Sequence, residues 1–117
     1  MEFQIGRKTL VTLAASAFAM TLSSVAFADV DADAAQKLAK KNDCFKCHAI
    51  DKTKKGPAYK KIAAKYKGKP DGEEKCLKNI TTGPKVKLED GTEEEHKIID
   101  TKDQAELKNL VQWILAQ

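Results

Sequence analysis

Methionine, arginine and aromatic residues are scarce in this chain, and each shortage narrows what it can be. Of 117 residues, two are methionine (Met1 and Met20), one is arginine (Arg7), and 6% are aromatic. With so few aromatics and 32% of residues charged, the chain's own apolar side chains would make a thin core. The formal net charge is +4, and setting aside Arg7, Lys8 and Glu2 at the N-terminus leaves +3, all of it carried by lysine. That is too little for the whole-molecule basic field that holds nucleic acid, and most of the lysines read as a solvated helical surface. No repeat, second domain or convincing strand pattern is visible at this length.

Long hydrophobic runs are missing too, with one exception. Arg7 and Lys8 precede an apolar stretch from Leu10 to Leu22, and Val25-Ala26-Phe27-Ala28 supplies small residues at −3 and −1 of a cleavage site. The alternative is an uncleaved membrane anchor, but the stretch is short for a membrane span and is broken by Thr21, Ser23 and Ser24. Residues 1–28 are therefore expected to be a cleavable secretory signal, cut before Asp29. Residues 29–117 would form one exported domain, in the periplasm, with no stable membrane insertion. At this size, domains usually borrow stability from disulfides, metals or a cofactor.

Along residues 29–117 the periodicity is helical. Asp31 and Asp33 are candidate N-caps for a helix to about Lys41, with Ala34, Ala35, Leu38 and Ala39 as a small-residue stripe. Tyr59, Ile62, Ala63 and Tyr66 recur at helical spacing after Gly56-Pro57. Asp71 with Glu74 has the form of a capping box before Cys76, Leu77 and Ile80. Lys85 to Thr101 lacks a clear period and reads as a loop with a turn at Asp90-Gly91. Thr101 with Gln104 opens the strongest helix, whose apolar face is Leu107, Leu110, Val111, Ile114 and Leu115, with Trp113 beside it.

The chemistry lies in Cys44-Phe45-Lys46-Cys47-His48. Two thiols three positions apart with histidine following is the attachment pattern of c-type haem, in which both cysteines bond the porphyrin and the imidazole of His48 meets the iron. A thioredoxin-like redox pair and half of a zinc site are the competing readings. The first usually has an α/β context, and the second needs two more ligands, for which only Cys76 and His96 remain.

With this motif in place, residues 29–117 resemble the class I cytochrome c family, in particular its small bacterial members. The resemblance rests on a helix leading into the motif, Gly56-Pro57-Ala58-Tyr59 after it, and a final helix with Trp113. It implies an all-α cytochrome c fold of three to four helices around one covalently bound haem c. It also implies Cys44, Cys47, Pro57 and Tyr59 as cofactor-binding residues, the Pro57 carbonyl accepting a hydrogen bond from His48. Two haem propionates would bring the net charge to about +1.

The sequence departs from that family at one point. Most members use methionine as the second axial ligand, and here both methionines lie in the leader. His96, the only other histidine, stands roughly where the family's methionine would precede the last helix, and is expected to be the second iron ligand with His48. Lys85, Lys87, Lys97 or an open site are the alternatives. Replacing thioether by imidazole would lower the reduction potential.

Cys76 reads as a small apolar residue on a helix face, Phe45 as surface or haem-edge, and Tyr66 as core or haem-edge packing. The expected function is one-electron carriage between transient redox partner proteins by a monomer that is not an enzyme. The alternative is a ligand-binding haem protein, gas-sensing or peroxidase-like, in which the sixth position is labile or open.

Overall fold

The computed structural model describes residues 29–117, and the leader expected over residues 1–28 lies outside them. Among the described residues, five helices and one small hairpin follow in order: α1 Ala32–Lys41, α2 Cys44–Cys47, α3 Tyr59–Tyr66, α4 Gly72–Thr82, β1 Lys85–Lys87, β2 Glu93–Glu95 and α5 Gln104–Leu115. Four are helices of eight residues or more, and α2 is the single turn formed by the motif.

Helix α1 begins where expected, with the Asp31 carboxylate accepting from the Ala34 N–H at 2.9 Å. Its stripe of small residues explains its packing, since Ala35 and Ala39 are fully buried and let α1 lie close against α5. A two-way bond fastens its start, Asp31 N donating to Asn109 Oδ1 at 2.9 Å and Asn109 Nδ2 to the Asp31 carbonyl at 2.8 Å. Helix α5 is the central element and touches α1, α3 and α4. Leu107, Leu110 and Val111 are its most buried residues, and Trp113 is buried with them.

Three local expectations are corrected. Asp71 makes no cap bond and pairs instead with Lys75 at 2.8 Å, one turn along the helix. The cap of α5 is Asp103, accepting from Ala105 and Glu106, while Thr101 donates to Glu106 at 2.6 Å. The segment expected as a loop contains an antiparallel hairpin with Lys85 opposite Glu95, Val86 opposite Glu94 and Lys87 opposite Glu93. Opposite charges facing across the strands favour that register. The turn is the anticipated one, with Gly91 at φ 85° and the Asp90 carboxylate accepting from both the N–H and hydroxyl of Thr92.

Candidate haem site

The motif is presented by a sharp reversal after α1. Asp43 takes a left-handed conformation at φ 58°, ending α1 and aiming the chain into α2. Cys44 and Cys47 lie half-buried at the two ends of that turn. Burial raises the Cys44 thiol pKa, with the nearby backbone and Lys97 opposing weakly. Phe45, expected at the surface or a haem edge, points instead into the core and meets Tyr59 and Trp113 edge-on at ring separations of 5.9 and 6.3 Å. The middle of the motif thus anchors the attachment turn to α3 and α5.

His48 is held on three sides. Its Nδ1 lies 2.7 Å from the Pro57 carbonyl, its ring stacks on Tyr59 at 5.2 Å, and Gly56 passes directly behind it. A Cβ at Gly56 would stand 2.8 Å from His48 Cε1, so only glycine leaves the imidazole this place. Because a carbonyl can only accept, Nδ1 carries the proton and Nε2 presents its lone pair. Burial pushes the His48 pKa below the ordinary histidine value, favouring the neutral ring that binds metals, while the Pro57 bond opposes that shift. Tyr59 is buried, and desolvation raises its pKa far enough to keep it a neutral phenol.

His96 comes from the other side of the molecule, just after β2. Its Nδ1 lies 2.9 Å from the Lys97 carbonyl, so it too must donate from Nδ1 and offer Nε2. The two imidazole centroids are 6.2 Å apart, a separation that leaves room between them for one metal ion with a bond of about 2 Å on either side. Gly83, at φ 61°, lets the end of α4 pass within 3.1 Å of the His96 carbonyl, counted from where a Cβ would stand.

Between the histidines opens a cavity of about 360 Å³. Both motif cysteines, both histidines, Pro57 and Tyr59 line it, so the fold brings together every site residue expected from the sequence. Ile62, Ile80, Ile99, Leu110, Val111 and Ile114 give it apolar walls, and Lys61, Lys65, Lys87 and Lys97 also border it, with Glu94 and Glu95. Cys76 lies buried in the wall on α4, where burial raises its pKa and makes it an inert apolar residue. An apolar slot with two thiols at one edge and a lone-pair imidazole over it fits a flat macrocycle fixed by thioethers. Sequence reasoning missed Val86 and Leu88 as parts of the wall, although their alternation with lysine before Asp90-Gly91 was the available signal. It also missed Asn42, which the local pattern does not mark as buried.

A slot of this kind, opened by a Cys-x-x-Cys-His turn within a helical shell, defines a c-type haem protein. The profile of the cytochrome c family matches residues 32–117, and the chain belongs to that family. It therefore carries covalently attached haem c with its iron, and Cys44 and Cys47 fit the attachment motif. Members of the family are electron-transfer proteins rather than enzymes.

Among similar proteins, cytochrome c-551 of Allochromatium vinosum is 35% identical over 65 residues, 56% of this chain and 63% of that one. Cytochrome c-552 of Nitrosomonas europaea is 48% identical over 62 residues, 53% of this chain and 52% of that protein. The chain thus spans between half and two thirds of the length of these curated relatives. The crystal structure of the class 1 cytochrome MtoD from Sideroxydans lithotrophicus superposes with a TM-score of 0.72 at 55% identity, covering 75% of this chain and 97% of that one. No helix among the described residues is long and apolar enough to cross a membrane.

Proposed function

We propose that this protein is a one-electron carrier with bis-histidine haem, exported to the periplasm after removal of residues 1–28. The observation that carries the reading is the matched environment of the two imidazoles. Each has Nδ1 against a backbone carbonyl, at 2.7 Å for His48 and 2.9 Å for His96, and the rings are 6.2 Å apart across the cavity. Carbonyl-oriented imidazoles are the usual form of histidine metal ligands, because the bond fixes the tautomer and raises ligand basicity.

In this reading Cys44 and Cys47 hold the porphyrin, His48 and His96 bind the iron, Pro57 and Lys97 orient the two rings, and Tyr59 packs behind His48. The bound haem supplies a one-electron iron couple. The chain's own residues do the rest: the isoleucines and α5 exclude water, and the hairpin covers the distal side. Two imidazoles in place of imidazole and thioether lower the potential relative to methionine-ligated relatives. Lysines bordering the cavity draw acidic partners into transient encounters, consistent with a monomer that exchanges electrons and departs.

The test is paramagnetic resonance and near-infrared spectroscopy of the oxidised protein, wild type against His96→Ala. A low-spin bis-imidazole signal that the substitution abolishes is expected. A high-spin wild type, or a spectrum indifferent to the substitution, would remove His96 from the iron and favour an open or lysine-bound site.

A further inference from the structure

The segment that delivers His96 has no helix or strand between β2 and α5, so its place depends on individual tethers. His96 N donates to the Pro84 carbonyl and Ile99 N to the Ile80 carbonyl, each at 2.9 Å. Both lead to the neighbouring end of α4. The third tether crosses the molecule: Asp100 N donates to Asn42 Oδ1 at 2.9 Å, and Asn42 Nδ2 donates to Asp100 Oδ1 at 3.0 Å.

Asn42 is 2% exposed and is the one buried polar side chain among the described residues. It closes α1, two residues before Cys44, and its Nδ2 also donates to the Leu38 carbonyl at 3.0 Å. An amide is costly to bury unless its polar atoms are paired, and this one is paired at both ends. Lys41 adds an ion pair to Asp100 at 3.1 Å, but both side chains are about half exposed or more, so water screens it.

We propose that Asn42 is a positioning residue for the distal iron ligand. By clasping Asp100 it ties the loop that carries His96 to the turn that carries the haem-binding cysteines, and so limits how often the imidazole withdraws. The proposal rests on the reading of His96 as ligand. A merely structural cap would lower stability in Asn42→Ala and leave His96 withdrawal unchanged. A clasp makes withdrawal faster in the folded state.

Carbon monoxide binding to the reduced holoprotein, at gas concentrations where the rate no longer rises, reports withdrawal of the sixth ligand. Asn42→Ala is expected to accelerate it roughly tenfold, the scale of one or two hydrogen bonds, and Asp100→Ala by a smaller factor because its backbone donor survives. Lys41→Ala should bind like wild type. Amide exchange at Ile99 and Asp100 should quicken in Asn42→Ala while Leu110 stays protected, a readout that does not involve the gas. If Asn42→Ala fails to mature, Asp100→Ala decides the matter. His96→Ala binding no faster than wild type would defeat the ligation reading itself. Fast binding by His96→Ala alongside wild-type rates in both Asn42→Ala and Asp100→Ala would leave ligation standing and overturn the clasp.

Discussion

The two sides of the cavity are built by different means. On the proximal side, residues 44–59 are laced to themselves and to the core: Gly56 N donates to the Cys47 carbonyl at 2.8 Å, Tyr59 N to Ala49 at 2.9 Å, Lys60 N to Ile50 at 3.0 Å, and Phe45, Tyr59 and Trp113 form a closed aromatic group. On the distal side, residues 85–100 present Ile99 as their one buried hydrophobic residue, and hydrogen bonds to Pro84, Ile80, Lys55 and Asn42 hold the rest. Packing is collective, so weakening it loosens the whole fold. Tethers fail locally, so weakening one displaces the loop that carries His96 before it changes folding.

Truncating one anchor on each side tests that contrast most severely. Trp113→Ala should cost about 3–5 kcal/mol, because it removes the ring that Phe45 and Tyr59 both meet. Ile99→Ala should cost about 2 kcal/mol, the low end for a buried aliphatic residue, since a loop can collapse around the gap. Guanidinium unfolding of the holoprotein measures both. Equal losses would mean that the distal segment belongs to the same cooperative core, and the contrast would be gone.

The same contrast governs what the sequence displays. The proximal half is legible because its signals are local: a contiguous motif, Gly56-Pro57 at a fixed distance, and helices with strong apolar spacing. His96 stands out only by exclusion, as the only other histidine and at a plausible distance from Trp113. The hairpin was not recognised, although Lys85 and Lys87 opposite Glu95 and Glu93 encode its register, because cross-strand charge pairs have no periodicity within one segment. Asn42 was invisible for a deeper reason. Its partner is 58 positions away, and an asparagine that ends a helix looks the same whether buried or exposed. The failed capping boxes at Asp71 and Thr101 show a third limit, since each side chain had a competing partner of better geometry in Lys75 and Glu106.

A smaller effect sharpens the distal side of the comparison. The Asn42 amide, and then the Lys41 ammonium, hold the Asp100 carboxyl below the usual aspartate range. A carboxyl lowered on folding contributes its stabilisation fully above the ordinary value of about 3.9, and loses it as pH falls through the lowered one. The contribution of Asp100 to holding the distal loop should therefore be constant from pH 7 to 5 and be lost only in stronger acid, so the difference in carbon monoxide binding between wild type and Asp100→Ala should persist across that range. Nuclear magnetic resonance titration of Asp100 should show its pKa rising in Asn42→Ala, and rising less in Lys41→Ala. A carboxyl that titrates identically in all three proteins would mean that the clasp exerts no pull on the distal loop.

The smallest expected effect lies on the proximal side, at the left-handed residue just before the motif. Asp43 holds φ 58° with the support of its own salt bridge to Lys46 at 3.3 Å, a pair too exposed to contribute much. A left-handed conformation costs a residue with a Cβ roughly 1–2 kcal/mol, and aspartate is among those that bear it most easily. Asp43→Gly should therefore raise stability by up to about 1 kcal/mol, part of the gain being offset by the freer unfolded chain. Asp43→Val should lower it by about 1–2 kcal/mol, because a β-branched side chain fits that region worst. Thermal unfolding of the three holoproteins gives the order. If valine were tolerated as well as glycine, the turn into Cys44 would be set by the thioether bonds of the haem rather than by the backbone, and the proximal side would owe its rigidity to the cofactor.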